Sequence, residues 1–184
     1  WPSMWTSSVE VWRTAWPAIV RIWARMRAVV VLPLVPVTAA IGTRLWLPGA
    51  REPGREAYLR ELEAQARALG VDGAVLFTPP TARIAEAYAA CDLVLQLSRK
   101  PEAFGRTVAE ALSVGRPVLG WAHGGVGELL AGLQPAGAVP PFDEDALARA
   151  AAALLRDPPP PVAVPYTLQA MQQATLDVYA ELAG

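Results

Sequence analysis

The sequence predicts an α/β fold in which helices flank a parallel β-sheet. Short apolar runs of strand length alternate with helical patterns of about ten to fifteen residues. Parallel strands require such crossover helices, because a tight turn cannot join them. With 184 residues, the chain is long enough to bury a core without a disulfide or a metal. These observations favour one main domain whose strands are buried on both faces.

From residue 43 onward the elements follow one another regularly. Their limits come from residues that start or stop helices: Thr81 and Asp143 as N-caps, and Gly70, Gly115 and Pro117 as terminators. Strands are predicted at 45–47, 75–77, 93–97 and 118–120, with an edge segment at 139–142. Helices are predicted at 55–69, 81–90, 106–114, from 126 onward, 143–155 and 168–182.

Residues 1–42 differ in composition from the domain predicted at 43–184. Five of the seven tryptophans fall within the first 23 residues, with arginines between them. The apolar run at 28–41 is too short to span a bilayer and does not follow the pattern of a signal peptide. We expect only 29–35 to join the sheet, as its first strand beside 45–47, with the preceding tryptophans outside the core. Two interpretations of this Trp/Arg/Val-rich segment stay open: a partner-facing or poorly packed segment, and a contact with a membrane surface.

Charge and cysteine content exclude several classes of function. Sixteen basic and 17 acidic residues give a net charge of −1, which offers no argument for binding nucleic acid. The single Cys91 cannot form an intramolecular disulfide, and its apolar neighbours indicate a packed small side chain. Lys100 is the only lysine and asparagine is absent, a bias typical of a GC-rich bacterial genome.

Two glycine loops mark the candidate site. The first lies in Lys-Pro-Glu-Ala-Phe-Gly-Arg-Thr-Val-Ala-Glu at 100–110, and the second in His-Gly-Gly-Val-Gly-Glu at 123–128. Each follows a predicted strand and opens a helix, whose free N–H groups and partial positive charge suit a phosphate. We expect the glycines to let a ligand approach the backbone. Glu102 and Glu110 are expected to face one cleft and to accept hydrogen bonds from hydroxyl groups.

These motifs resemble the carboxy-terminal, donor-binding half of the retaining glycosyltransferases of the GT-B fold, in the family called group 1 or family 4. Glu102 and Glu110 match the family's Glu-x7-Glu pattern inside P-E-x-F-G-x-x-x-x-E-A-L, which G-x-P-V and H-G-G-V-G-E follow. The resemblance covers roughly residues 43–184. It implies a Rossmann-like parallel sheet, one half of a GT-B fold, with the ligand at the carboxyl ends of the strands.

The resemblance also implies an activity and roles for residues. The activity is transfer of a sugar from a nucleotide diphosphate sugar to a glycan or lipid-linked acceptor, with retention. Glu102 would contact the donor sugar as the catalytic residue, and Glu110 the ribose hydroxyls. For Arg99 and Arg106 two interpretations stay open, a positive charge near the diphosphate or a solvated side chain. Independently of the resemblance, Glu128 is expected to cap or anchor its own helix. The other donor-binding residues implied are Phe104, Gly105, Thr107, His123, Gly124 and Gly125.

No cofactor or metal is expected. The acidic triplet at 143–145 is explained by an Asp N-cap and an acidic first helical turn, although an Asp-x-Asp metal site is the alternative. The family's Gly-Arg-x4-Lys-Gly loop, which grips the diphosphate after the first strand, has no counterpart here. The acceptor is expected to bind an amino-terminal domain that this chain lacks.

The resemblance implies a bacterial enzyme of cell-envelope glycan synthesis, located in the cytoplasm or at the inner face of the membrane. Two other classes of function stay open. One is a nucleotide-sugar epimerase of the same fold, and the other is a non-catalytic remnant that binds a nucleotide or a partner protein.

Overall fold

A six-stranded parallel sheet forms the centre of the domain. The computed structural model describes residues 28–31, 44–49, 51, 53–54 and 56–183. The strands are β1 (Ala28–Val31), β2 (Leu45–Pro48), β3 (Val75–Thr78), β4 (Leu93–Gln96), β5 (Val118–Trp121) and β6 (Ala138–Val139), in the spatial order β3-β2-β1-β4-β5-β6. The predicted α/β fold with a parallel sheet is confirmed.

The strand β1 lies between β2 and β4. Ala28 pairs with Leu45 on one side and with Leu93 on the other. The prediction that this segment supplies a strand beside β2 is confirmed. Residues 32–35 and the tryptophans of the first 23 residues lie outside the described residues, so the predictions about them stay predictions.

Six α-helices accompany the strands in the described part of the chain. They are α1 (Glu56–Ala68), α2 (Ile84–Ala89), α3 (Arg106–Ser113), α4 (Gly124–Leu133), α5 (Glu144–Arg156) and α6 (Leu168–Ala183). The predicted stop at Gly70 is confirmed, because this glycine has a left-handed φ of 65°. The predicted cap of α5 is confirmed as well: Oδ1 of Asp143 accepts a hydrogen bond of 2.8 Å from the Ala146 amide.

Two predicted helix starts are wrong. The helix α2 begins at Ile84, because the Thr81 hydroxyl accepts from the Arg83 amide at 3.1 Å and forms a turn before the helix. Thr81 is therefore not its N-cap. The helix α4 begins at Gly124, two residues before the predicted start near Val126, so the glycine pair belongs to its first turn.

Helices cover both faces of the sheet. Successive strand residues point to opposite faces, so Leu93 and Leu95 pack with α5, whereas Val94 packs with α3 and α4. The helix α5 contributes Leu147, Ala151 and Leu154 to its cluster. On the other face, α3 and α4 contribute Val108, Ala111, Leu112, Val126, Leu129 and Leu130.

The chain after α5 runs back toward the candidate site. Val162 and Val164 pack, partly buried, against the cluster formed with α3 and α4. The ring of Tyr166 then meets that of Phe104 edge-to-face, with centroids 5.4 Å apart. The predicted terminal helix is present as α6, and every residue from 165 to 182 is exposed. Among the described residues, no helix combines the length and apolarity needed to cross a membrane.

Two glutamines, Gln96 and Gln134, are the buried polar side chains of the described residues, each 4% exposed. Gln134 follows α4, and its side-chain amide pairs with the backbone of Val118 at the start of β5. Its Nε2 donates to the Val118 carbonyl at 2.8 Å, and its Oε1 accepts from the Val118 amide at 3.0 Å. The side chain thus extends the backbone pairing of β5. Gln96 is the last residue of β4, at the opposite end of the sheet.

Candidate functional site

The candidate site lies at the carboxyl ends of β4 and β5, which are neighbours in the sheet. The segment after β4 leads into α3, and the segment after β5 leads into α4. The strand order reverses between β1 and β4, because the chain continues from β1 outward to β2 and β3 and returns to β4 on the other side. In open parallel sheets, ligands bind in the crevice at such a reversal. Gln96 lies at this point, in register with Val31 of β1 and Gly120 of β5.

Three hydrogen bonds fix the segment between β4 and α3. The Gly125 amide, in the first turn of α4, donates to the Glu102 carbonyl at 2.8 Å. Nε2 of His123 lies 3.1 Å from the Ser98 carbonyl oxygen and donates to it, since that oxygen only accepts. The Ser98 amide donates to Oε1 of Gln96 at 3.3 Å. The first glycine loop is therefore bound both to the end of β4 and to the start of α4.

The glycines of the site permit close packing of protein on protein. A Cβ atom at Gly125 would lie 2.5 Å from Cα of Phe104, and one at Gly124 would lie 2.7 Å from the Glu102 carbonyl oxygen. Gly105 precedes α3 with a φ of 84°, a backbone conformation that residues other than glycine rarely adopt. The structure thus brings together Glu102, Phe104, Gly105, Gly124 and Gly125, as the two adjoining loops predicted. The prediction that these glycines also admit a ligand stays a prediction.

Glu102 is held through one of its carboxylate oxygens. Its side chain is half-buried, and Oε1 accepts a hydrogen bond of 2.5 Å from Nε2 of Gln96. Hydrogen bonds to a charged acceptor are shorter and stronger than neutral ones. The second oxygen, Oε2, has no hydrogen-bond partner among the residues that the structure describes. It can accept a hydrogen bond from a ligand.

Glu110 is held in the same way by a different element. Its Oε2 lies 3.3 Å from the hydroxyl of Tyr88, a residue of α2 that is 3% exposed. Burial, and secondly the charge of Glu110, raise the pKa of Tyr88 to about 12, so the phenol keeps its proton and donates. The Thr107 side chain acts on the Tyr88 pKa in the opposite direction and lowers it. Within the described part of the chain, Oε1 of Glu110 has no partner and is free to accept.

Three basic side chains belong to the same stretch of chain as these carboxylates. Arg99, Lys100 and Arg106 are exposed, and none of them forms an ion pair with another described residue. The guanidinium of Arg99 lies 5.7 Å from the centroid of the Phe142 ring. The same ring contacts His123, at a centroid distance of 6.1 Å. Arg99 is thereby held beside the second loop, whereas Arg106 is the first residue of α3.

The predicted role of Glu128 is wrong. Its side chain is exposed, it forms no hydrogen bond or ion pair with the described residues, and no side chain caps the start of α4. The interpretation of Cys91 as a packed side chain is confirmed. Its thiol donates to the Ala87 carbonyl at 3.1 Å, and burial raises its pKa to about 12. In the described ranges, no group of three or more His, Cys, Asp or Glu side chains could hold a metal ion.

Sequence reasoning missed Gln96 and Tyr88. An amide within the otherwise apolar run 93–97 was a usable signal, because a buried polar side chain requires a partner. Tyr88 offered no such signal. In the sequence it resembles any aromatic residue on the buried face of a helix, and its contact with Glu110 spans 22 positions.

A parallel α/β domain with free hydrogen-bond acceptors and unpaired cations on the segments that follow its strands has the architecture in which ligands bind at the carboxyl ends of the strands. Residues 42–170 match the model of the family described as glycosyl transferases group 1. The chain therefore belongs to the group 1 glycosyltransferase family.

Individual relatives agree with this assignment. The D-inositol 3-phosphate glycosyltransferase of Xylanimonas cellulosilytica is 44% identical over 75 residues, which are 40% of this chain and 18% of that protein. The structure of Anabaena HepE in complex with UDP-glucose is 26% identical, with a TM-score of 0.64 over 77% of this chain and 44% of that one. The match thus covers less than half of either relative.

One neighbour is itself an isolated domain. The carboxy-terminal domain of LpcC, a group 1 family protein from Francisella tularensis, is 19% identical and shares the fold, with a TM-score of 0.54 over 72% of this chain and 76% of that domain. Together the similarities confirm the Rossmann-like fold and support the assignment to the carboxy-terminal domain of a group 1 glycosyltransferase with the GT-B fold.

Proposed function

We propose that this domain binds a nucleotide diphosphate sugar and serves as the donor half of a glycosyltransferase. The observation that carries the proposal is the stretch from the carboxyl end of β4 through α3, where two carboxylates each keep one oxygen free and three cations are unpaired among the described residues. Sugar and ribose hydroxyls can donate hydrogen bonds to the free carboxylate oxygens, and a diphosphate can pair with the cations. Anabaena HepE, which shares the fold, forms a complex with UDP-glucose, and this supports a donor of the same class.

Each end of the donor has a proposed partner. Glu110 accepts from the ribose hydroxyls through Oε1, and Glu102 accepts from the donor sugar through Oε2 as the catalytic residue. The first amides of α3 lack partners within the helix and carry a partial positive charge, which favours the diphosphate. Arg99 and Arg106 add full charges. As the anomeric bond loosens, negative charge grows on the leaving diphosphate, and these fixed positive groups stabilise it.

The remaining parts of the reaction lie beyond this domain. We propose retention of configuration and transfer to a glycan or lipid-linked acceptor, which an amino-terminal domain would bind. The reaction would need no cofactor or metal other than the donor itself. A lipid-linked acceptor would place the enzyme in the cytoplasm, at the inner face of the membrane, with a peripheral contact there.

A calorimetric panel tests donor binding directly. UDP, GDP and ADP, each with and without glucose, are titrated into the 184-residue chain in the presence of a metal chelator. We expect one nucleotide to bind with micromolar to millimolar affinity. Glu102→Ala and Glu110→Ala should each lower the affinity of the chain for the glucose conjugate of that nucleotide. Glu128→Ala is the matched control, because this exposed glutamate has no partner among the described residues. Failure of all six ligands to bind would remove the proposal.

The second candidate is a domain that binds nucleotides without turnover. It is favoured by the missing Arg–Lys pair after the predicted strand 29–35. Both candidates predict that the isolated chain transfers no sugar. They differ once an acceptor domain of a group 1 relative is fused to its amino terminus. Transfer by that fusion, abolished by Glu102→Ala, supports the enzyme; nucleotide binding without transfer supports the second candidate.

A further inference from the structure

We propose that Gln96 is a positioning residue that sets the orientation of the Glu102 carboxylate and thereby the preference of the site for a sugar on its nucleotide. This inference rests on the proposed function, in which Glu102 contacts the donor sugar. It concerns a residue that forms no part of the Glu-x7-Glu pattern.

The position of Gln96 in the sheet makes it a fixed reference point. Its backbone is the end of β4, paired with β1 on one side and β5 on the other, at the reversal of strand order. Its side chain is 4% exposed and its amide oxygen accepts from the Ser98 amide. This second bond fixes which way the amide group faces, so that its nitrogen points to Glu102.

The contact with Glu102 is short and one-sided. Nε2 of Gln96 donates to Oε1 of Glu102 at 2.5 Å, and Oε2 is left without a protein partner. A carboxylate in a loop can rotate about its side-chain torsions, and each orientation that does not face the ligand reduces the fraction of competent molecules. A bond from a buried amide to one oxygen removes that freedom while the other oxygen stays available. Because the amide is neutral, it holds the carboxylate without neutralising its charge.

The second buried glutamine shows why a purely structural role does not account for Gln96. Gln134 uses both ends of its amide on the backbone of one residue, Val118. Its partners belong to the sheet itself. Gln96 directs one end to the backbone of Ser98 and the other to the half-buried carboxyl group of Glu102 in a loop. A glutamine that only stabilised the sheet could satisfy its amide with backbone groups, as Gln134 does, without contacting a carboxylate at the candidate site.

The test compares the affinities of the 184-residue chain for UDP-glucose and for UDP by calorimetry. Gln96→Met keeps the length and shape of the side chain and removes both hydrogen bonds. We expect the preference for UDP-glucose over UDP to fall about fivefold to tenfold, the scale of losing one orienting hydrogen bond. The affinity for UDP alone should change less than about twofold. Gln134→Met is the matched control, expected to lower the unfolding midpoint while the preference stays unchanged.

A double variant separates positioning from general disturbance. In a Glu102→Ala background, Gln96→Met should have no further effect on the preference, because the side chain that it orients is gone. If Gln96→Met fails to fold, Gln96→Asn serves instead, since its shorter side chain cannot reach Glu102. An unchanged preference in the folded variant, or additive losses in the double variant, would overturn the inference. If the wild-type chain binds neither UDP nor UDP-glucose, this inference is overturned for a UDP donor. If it also fails to bind GDP, ADP and their glucose conjugates, the proposed function is overturned as well.

Discussion

One glutamine is buried at the amino edge of the sheet, where the strands begin, and one at the carboxyl edge, where the strands end. These two glutamines have different roles. At the amino edge, Gln134 pairs with the backbone of Val118 at the start of β5. At the carboxyl edge, Gln96 holds a carboxylate whose second oxygen is free. The two glutamines are equally buried, at 4% exposure. Burial alone therefore does not distinguish a polar group that stabilises the sheet from one that serves a site. The two are distinguished by the chemical nature of the partner and by whether the partner can still accept or donate another hydrogen bond.

The largest effect on stability is expected at the amino edge. Gln134→Met leaves the amide and the carbonyl of Val118 buried without partners. We expect the free energy of unfolding to fall by about 2–4 kcal/mol, with nucleotide affinity unchanged. Denaturant titration gives the first quantity and calorimetry the second. A loss of nucleotide affinity with unchanged stability would invert the comparison.

At the carboxyl edge, the largest effect is expected on binding. Glu110→Ala removes the proposed acceptor of the ribose hydroxyls, and nucleoside diphosphate binding should weaken by about 1–3 kcal/mol. Stability should change little, because the side chain is only half-buried. Calorimetry on the folded variant measures the effect, with Glu128→Ala as the control. Unchanged affinity would make Glu110 a surface glutamate.

Alkaline pH should act on the amino edge through Cys91, which lies two residues before the start of β4. Burial raises its pKa to about 12 from an ordinary value of 9.0. Above pH 9.0 the unfolded chain releases this proton while the folded chain retains it, so the free energy of unfolding falls as the pH rises toward 12. Between about pH 9 and 11 we expect a loss of roughly 1–3 kcal/mol. Cys91→Ala should make this part of the pH profile less steep, with the remaining slope coming from Tyr88, whose pKa is also raised to about 12. An equally steep profile in the variant would contradict the assignment.

The smallest effect is expected for Tyr88→Phe, which deletes only the hydroxyl that holds Glu110. UDP binding should weaken by about 0.5–1.5 kcal/mol, and 2′-deoxy-UDP binding should weaken less. The ratio of the two affinities reports on the ribose hydroxyl and not on folding. Tyr179→Phe, on exposed α6, is the control. Equal losses for both nucleotides would assign Tyr88 to packing alone.

The sequence predicted most of the elements because their signals are local. The strand at 118–120 is a continuous apolar run, and the cap of α5 requires only Asp143 and the amide three residues later. Helix starts were less predictable where two local signals compete. After Pro79 and Pro80, the Thr81 hydroxyl bonds the Arg83 amide and delays α2.

The candidate site was predicted in part. The two glycine loops follow neighbouring strands, so their approach to each other could be inferred from the order of the elements. What orients Glu102 and Glu110 could not be inferred in the same way. The contact between Tyr88 and Glu110 depends on how α2 packs beside α3, and the contact of Gln96 depends on how the loop turns back over the end of β4. Hydrophobic periodicity carries no information about either.

The central place of β1 has a consequence for biosynthesis. Of the described strands, it is made first, yet one of its two neighbours, β4, begins only at Leu93. A ribosome adds about 5–20 residues per second, so the side of β1 that pairs with β4 stays unpaired for several seconds before β4 leaves the exit tunnel. An open strand edge is a template for pairing with other chains. Faster elongation through residues 32–92 should therefore shorten this exposure, and stalling within them should increase the yield of misassembled chains.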